Sequence, residues 1–288
     1  MAKRSAYLHV GLDDRSGDSL EPALQRHAHA LSALGVHAPA ASTDEMFRAA
    51  IEILRSHRTW GYRRKEVEGA WAAICRRGQR GTGTLVFSQP LLADATTDQI
   101  ELLLDGLRGF KRHVVITVAA PDTWTPGDLA LGALLDRWIT AVGRPDRVHV
   151  IVSPPVRRPA TTWKAFGKVV GFGTASLSLD GVEVATDARP PRLVSTEQHA
   201  ALRGLGHRWA GQILSRDLDV RGDLADLVPE MAPAPDPVSL IAPTDEALAE
   251  ALRAVDRLER RNRTLETRVG ELEQPRRRWR RSAGPSVA

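Results

Sequence analysis

Three short runs in this sequence are mostly apolar and lack a regular apolar–polar alternation: TLVFS at Thr84–Ser88, HVVITVA at His113–Ala119 and RVHVIV at Arg147–Val152. A strand with one face in water alternates apolar and polar residues, so runs without that alternation have to be covered on both faces. The intervening segments carry apolar residues at helical spacing. Thr97–Leu107 is one, and Gly127–Val142, with Leu129, Leu134, Leu135, Trp138 and Ile139, is another. Buried strands alternating with helices predict an α/β fold, a parallel sheet with helices on both faces.

The chain opens in the same way. YLHVG at Tyr7–Gly11 reads as a strand ending in a polar turn, and Ser19–Leu34 follows as a helix with Leu20, Leu24, Leu31 and Leu34 on one face. Thr43 or Asp44 caps a second helix to about His57, and a third runs over Arg64–Arg77 around Val67, Trp71 and Ile74. Thr161–Val170 and Thr196–Leu214 complete the helices, while residues 175–192 read as loop or as a short hairpin around Asp180 and Gly181. Four strands are legible in all.

At 288 residues with 42% hydrophobic and 26% charged, the chain suits one average domain with an appendage, and it is neither collagen-like nor disordered throughout. Its net charge of +5 invites a nucleic-acid reading until the charges are located. Five arginines, Arg276, Arg277, Arg278, Arg280 and Arg281, crowd into RRRWRR, and no acid follows Glu273. Without them, 35 basic residues face 35 acidic ones, so residues 1–275 are formally neutral. One cysteine, Cys75, excludes an internal disulfide and any multi-cysteine metal site, and reads as a small packing residue. The N-terminus reaches Asp13 after only a few apolar residues, unlike a signal peptide, and no apolar run approaches the roughly 20 residues of a membrane span. A cytoplasmic protein, not integral to a membrane, is expected.

Composition changes at the C-terminal side, where five prolines stand between Pro229 and Pro243. This predicts an α/β domain over 1–229, a semi-extended linker over 230–243 and a helix over 244–274 capped by Thr244. Within that helix Leu248, Val255, Asn262 and Val269 fall at heptad a, and Ala251, Leu258, Leu265 and Leu272 at d. Val at a with Leu at d favours two strands, and a single Asn at a fixes parallel register. The flanking pairs Arg261 with Glu266 and Arg268 with Glu273 are attractive across such a dimer. A parallel homodimer through 244–274 is expected; the alternative is an amphipathic helix folding back on its own domain, which Leu252 at e would favour. The tail 275–288 then presents its arginines twice, to an anionic partner such as nucleic acid, lipid or an acidic protein, or else is a disordered solubilising end.

Strand, glycine-bearing turn and helix N-terminus make an anion site, because backbone amides and the helix dipole converge there. Gly11, Arg15, Ser16, Gly17 and Ser19 are the candidate ligand-binding residues of this turn. It departs from the phosphate-loop pattern: five residues separate its glycines, and Asp18 stands where a lysine is needed. Asp13, Asp14 and Asp18 match no calcium-loop spacing, so no metal site is expected.

The order of LHVG, LSALGVHAP, FSQPLLADAT, HVVITVA and RVHVIVSPP followed by TTWKAFGKVVG resembles the actinobacterial sulfotransferase-like family over about residues 5–229. The resemblance implies a P-loop-NTPase-like α/β fold and transfer of a sulfuryl group from 3′-phosphoadenosine 5′-phosphosulfate (PAPS) to a hydroxyl or amine. It also implies a lysine gripping the 5′-phosphosulfate, where this chain has Asp14. An arginine and a serine should follow the central strand, yet no Lys or Arg stands between Arg112 and Arg137. The family's Ser-His-Glu-like signature after the TLVFS strand reads Ser88-Gln89-Pro90 here.

Sulfuryl transfer, like phosphoryl transfer, rests on positioning and on cations facing the oxygens of the group in flight. At an effective dielectric of about 20 and about 4 Å, one charge pair is worth about 4 kcal/mol before screening, and replacing Lys by Asp turns that attraction into repulsion. The expected function is therefore a catalytically degenerate sulfotransferase-like protein acting as a dimeric binding or scaffold protein. The alternative is an active PAPS-dependent enzyme that uses Arg15 and backbone amides in a shifted loop. PAPS is the cofactor only in the second case, and no catalytic residue is assigned. A nucleic-acid-associated dimer working through the tail is a third class.

Other polar candidates have plainer readings. His9 reads as a satisfied core histidine, and His27, His29 and His37 are too scattered for a metal constellation. Trp60, Trp71, Trp138, Trp163 and Trp209 read mostly as core.

Overall fold

The structure is a computed structural model and describes residues 3–12, 19–121, 131–154, 159–182 and 196–230. Six parallel strands form its sheet: β1 (Ser5–Gly11), β2 (Val36–His37), β3 (Thr84–Ser88), β4 (Lys111–Val118), β5 (Val148–Val152) and β6 (Asp219–Arg221). Their order is β2-β3-β1-β4-β5-β6. The three apolar runs form β3, β4 and β5, and YLHVG lies in β1, so the all-parallel α/β sheet expected from them is present. The two edge strands, of 2 and 3 residues, are too short to carry a periodic signal.

Between the strands lie α1 (Leu20–Arg26), α2 (Ala28–Ala33), α3 (Thr43–Ile53), α4 (Arg64–Val67), α5 (Ala70–Arg80), α6 (Thr97–Asp105), α7 (Leu131–Val142), α8 (Pro159–Val170) and α9 (Thr196–Leu214). Two expected helices are broken. Ser19–Leu34 divides at His27, whose φ of −97° and ψ of 13° depart from helical values and separate α1 from α2. Arg64–Arg77 divides at Gly69, where φ is +84°, a left-handed value that glycine adopts without steric cost. The second helix ends at Ile53 rather than near His57, because Arg55 is left-handed at φ +55°. Of Gly127–Val142, the part from Leu131 is helical and 127–130 lies outside the described residues. Residues 175–182 form turns, and 183–192 also lie outside.

Alternation along the strands sends side chains to two cores. On one face Leu8, Val10, Phe87, Val114, Ile116 and Val150 pack against α3, α5, α6, α7 and α9 through residues such as Ile74, Leu103, Leu135, Trp138 and Trp209. On the other, Val86, Val115 and Ile151 meet Leu20, Leu24 and Leu31 from α1 and α2, and Trp163 and Phe166 from α8. Each such large side chain contributes about 1.5–3 kcal/mol on burial. Both faces being covered is why these strands need no polar alternation.

The crossovers decide where a ligand has room. From β1 the chain moves outward to β2 through α1 and α2 on one face; from β3 and from β4 it moves the opposite way, through α6 and α7 on the other face. Right-handed crossovers require this pairing of direction with face. The carboxyl end of β1 is thus a topological switch point, where neighbouring connections diverge and leave a crevice.

Candidate functional site

At the carboxyl end of β1 the two described turn residues are Gly11 and Leu12. Gly11 is in register with Thr117 of β4, and the Leu12 amide donates to the Thr117 carbonyl at 3.1 Å. Ser19 is buried at the N-cap of α1, and its carbonyl accepts from Ala23 at 3.0 Å. Arg15, Ser16 and Gly17, with Asp13, Asp14 and Asp18, lie outside the described residues. So do 122–130, 155–158 and 231–288, and with them the linker, the heptads, the tail and most of the AAPDTWTPGD stretch.

Beneath this turn lies a polar cluster that the sequence reading did not assemble. His9, fully buried in β1, bridges strands on both sides: its Nδ1 lies 2.8 Å from Ser88 Oγ and its Nε2 3.0 Å from Thr117 Oγ1. Burial lowers its pKa to about 3, so the ring is neutral, with one nitrogen donating and the other accepting from a hydroxyl. The expectation of a satisfied core histidine is met. His9 adds side-chain hydrogen bonds between β3, β1 and β4 to the backbone ladder that already joins them.

Glu21 stands in the first turn of α1, buried beside the end of β3. Burial raises its carboxyl to about 7, against the opposing effect of hydrogen bonds from the Gln25 side chain and the Ser88 backbone. Gln25 Nε2 donates to Glu21 Oε1 at 2.8 Å and to the Ala40 carbonyl at 3.1 Å, which fixes the carboxyl's orientation. At the end of β5, Ser153 is 2% exposed and its Oγ has no hydrogen-bond partner among the described residues, while its amide donates to the Val118 carbonyl. The carboxyl-terminal halves of β1, β3, β4 and β5 and the first turn of α1 carry no Lys or Arg. The described crest is therefore lined by hydroxyls, a neutral imidazole and a carboxyl that titrates near neutrality. Its hydroxyls can donate hydrogen bonds to a ligand, but among the described residues it supplies no cation to balance a sulfate or phosphate.

The only sequence signals were the place of Glu21 at the start of a helix and of Ser153 just after a strand, and neither position distinguishes a buried group from a solvated one. Glu21 is in the first helical turn, where a carboxylate on the solvent side is ordinary.

A second polar chain crosses the same face nearer the amino ends of the strands. His149 Nδ1 donates to Asp219 Oδ2 at 2.8 Å, and Asp219 is paired with Arg221 at 3.1 Å. His149 Nε2 is then the acceptor for His113 Nδ1, 3.1 Å away. The rings are nearly coplanar, at 16° with centroids 5.4 Å apart, so the two nitrogens face each other in line. A metal would require their lone pairs to converge on a third point, and no cluster of metal-binding side chains occurs among the described residues. Burial lowers His113 to about 4. Tyr7 stacks on it at 4.4 Å.

Cys75 is buried, with its thiol pushed up to about 12 by burial, an inert packing residue as expected. Trp71, Trp138, Trp163 and Trp209 are core, but Trp60 is 49% exposed, against the expectation for the tryptophans generally. No helix among the described residues is long and apolar enough to cross a membrane. No family model, curated protein or solved structure matches this chain.

Proposed function

We propose that the chain is a sulfotransferase-like α/β protein that has lost group transfer and works as a dimeric binding or scaffold protein. The observation that carries this reading is the buried Glu21 carboxyl at the switch point, in a crest whose described strand ends bear no cation. An anionic donor seated above it would face a group that becomes negative near neutral pH, while Asp14 occupies the position of the family's lysine. Both features oppose the charge stabilisation on which sulfuryl transfer rests. The parallel sheet with its switch point at β1 agrees with the fold implied by the resemblance. The dimer rests on the heptads of 244–274.

Titration of the pure protein with PAPS and with its desulfated product tests the reading. A ligand at about 100 times its Kd would stabilise by about 2.7 kcal/mol, a rise of about 5 °C or more in Tm for a domain of this size. The expected result is no calorimetric heat and no shift at millimolar ligand. A shift of that size which vanishes in Arg15→Ala would establish the active enzyme instead.

A further inference from the structure

We infer that the turn-wound loop between α3 and α5, centred on the exposed Trp60, is a binding surface for single-stranded nucleic acid. From Arg55 to Lys65 the sequence RSHRTWGYRRK carries five cations and no acid. The chain here is well ordered by its own backbone: Thr59 donates to the Ser56 carbonyl at 2.9 Å, Gly61 to Arg58 at 3.1 Å and Tyr62 to His57 at 2.9 Å. These turns fold residues 55–62 into a short compact segment on which Arg55, Arg58 and Trp60 are all exposed, with Arg63, Arg64 and Lys65 directly following.

The neighbouring acids leave much of this charge unanswered. Glu52 accepts from the Gly69 amide at 2.6 Å and from the Trp71 amide at 2.9 Å, so both its oxygens are committed to the start of α5. Asp44 pairs with Arg48, Glu66 with Arg63 and Glu68 with Arg64. Arg55, Arg58 and Lys65 are exposed and form no close ion pair among the described residues, Lys65 acting on the Glu66 carboxylate only at longer range.

Trp60 supplies what a plain basic patch lacks. It meets Phe47 at 5.2 Å with the ring planes at 88°. In an edge-to-face pair at most one indole face is covered by the partner, so this contact leaves at least one face open for stacking. Phe47 in turn lies 6.2 Å from Tyr62, whose hydroxyl reaches Asp44 at 3.4 Å, and these contacts hold the indole from behind. Proteins that bind single strands with little regard to sequence combine cations that follow the backbone with an aromatic side chain on which a base stacks, and this loop carries both kinds of group. A bilayer fits less well. Among the described residues the other large exposed apolar side chains, Leu34, Leu102 and Leu214, stand on other elements, so one indole would have to anchor the loop alone.

Fluorescence anisotropy of the full-length chain with labelled single-stranded DNA and RNA of about 15 nucleotides tests this, the length being set by the usual site size. Trp60→Ala should weaken binding about 10-fold or more, and Trp60→Phe should restore most of it, since a phenyl ring also stacks. Exchanging Arg55, Arg58 and Lys65 for Gln should lower the slope of log affinity against log salt by about 2, at roughly 0.7 per lost phosphate contact. All are surface changes, and unchanged melting curves establish that the variants fold. The inference fails if these variants bind like the parent while replacing the tail arginines by Gln abolishes binding. It also fails if inorganic polyphosphate competes equally in the parent and Trp60→Ala, or if the loop binds phosphatidylserine vesicles but no oligonucleotide.

Discussion

His9 shows how much one residue can hold in an otherwise apolar sheet. Replacing it by Leu keeps the volume but leaves the hydroxyls of Ser88 and Thr117 buried without a partner, at about 1–3 kcal/mol each. His9→Leu should therefore lower unfolding stability by about 2–5 kcal/mol in urea denaturation, although it adds an apolar side chain to a core. Two buried groups, His9 and Glu21, and the half-buried His113 also contribute to the pH dependence. The folded state holds His9 at about 3 and His113 at about 4, so the unfolded chain takes up protons first as the pH falls below the ordinary imidazole value of 6.5. Glu21 acts in the opposite sense: its contribution is complete below the ordinary value of 4.5 and is lost as the pH rises toward about 7. Between 4.5 and 6.5 two histidines outweigh one carboxyl, and above 6.5 only the carboxyl remains. Thermal melts across pH should thus place the maximum near 6.5, and Glu21→Gln should convert the decline above it into a plateau. A decline that persists in that variant would show that another group is responsible.

At the scale of elements, the same substitution changes sign with its surroundings. Gly206 lies within α9, where exchange to Ala ordinarily gains about 1 kcal/mol from propensity. Here an added Cβ would stand 2.2 Å from the Leu227 carbonyl oxygen and 3.1 Å from Val228 Cα, both backbone, in the turn that follows β6. Overpacking of that kind costs about 1–3 kcal/mol, so Gly206→Ala should be destabilising in chemical denaturation despite its better propensity. Gly211, five residues further along α9, meets nothing within 4 Å, and Gly211→Ala should be neutral or stabilising. The pair separates packing from propensity on one helix. Their contrast also explains why element boundaries were less legible than elements. Apolar spacing revealed α3, α6, α8 and α9, but it continued through His27, Arg55 and Gly69, where single backbone conformations end or break a helix.

For the whole molecule, the two cores and all six strands lie within Met1–Glu230, so a chain ending at Glu230 should fold with a cooperative melt. Light scattering should report it as a monomer and the full chain as a dimer; a dimer of the shorter chain would remove the role given to 244–274. The sequence by itself determined the α/β class, because strands apolar on both faces are stable only inside a layered parallel sheet. It also located the excess charge at the C-terminal end and identified the acids in the expected anion turn, since these depend on residue identity and order alone. Strand order, and hence the switch point at β1, came only from tertiary structure: a crossover's direction leaves no mark in local periodicity. The candidate site was decided there too. Glu21 and Ser153 become unusual only when packing removes water from them, and His9, Ser88 and Thr117, up to 108 residues apart, meet only because their strands pair in register.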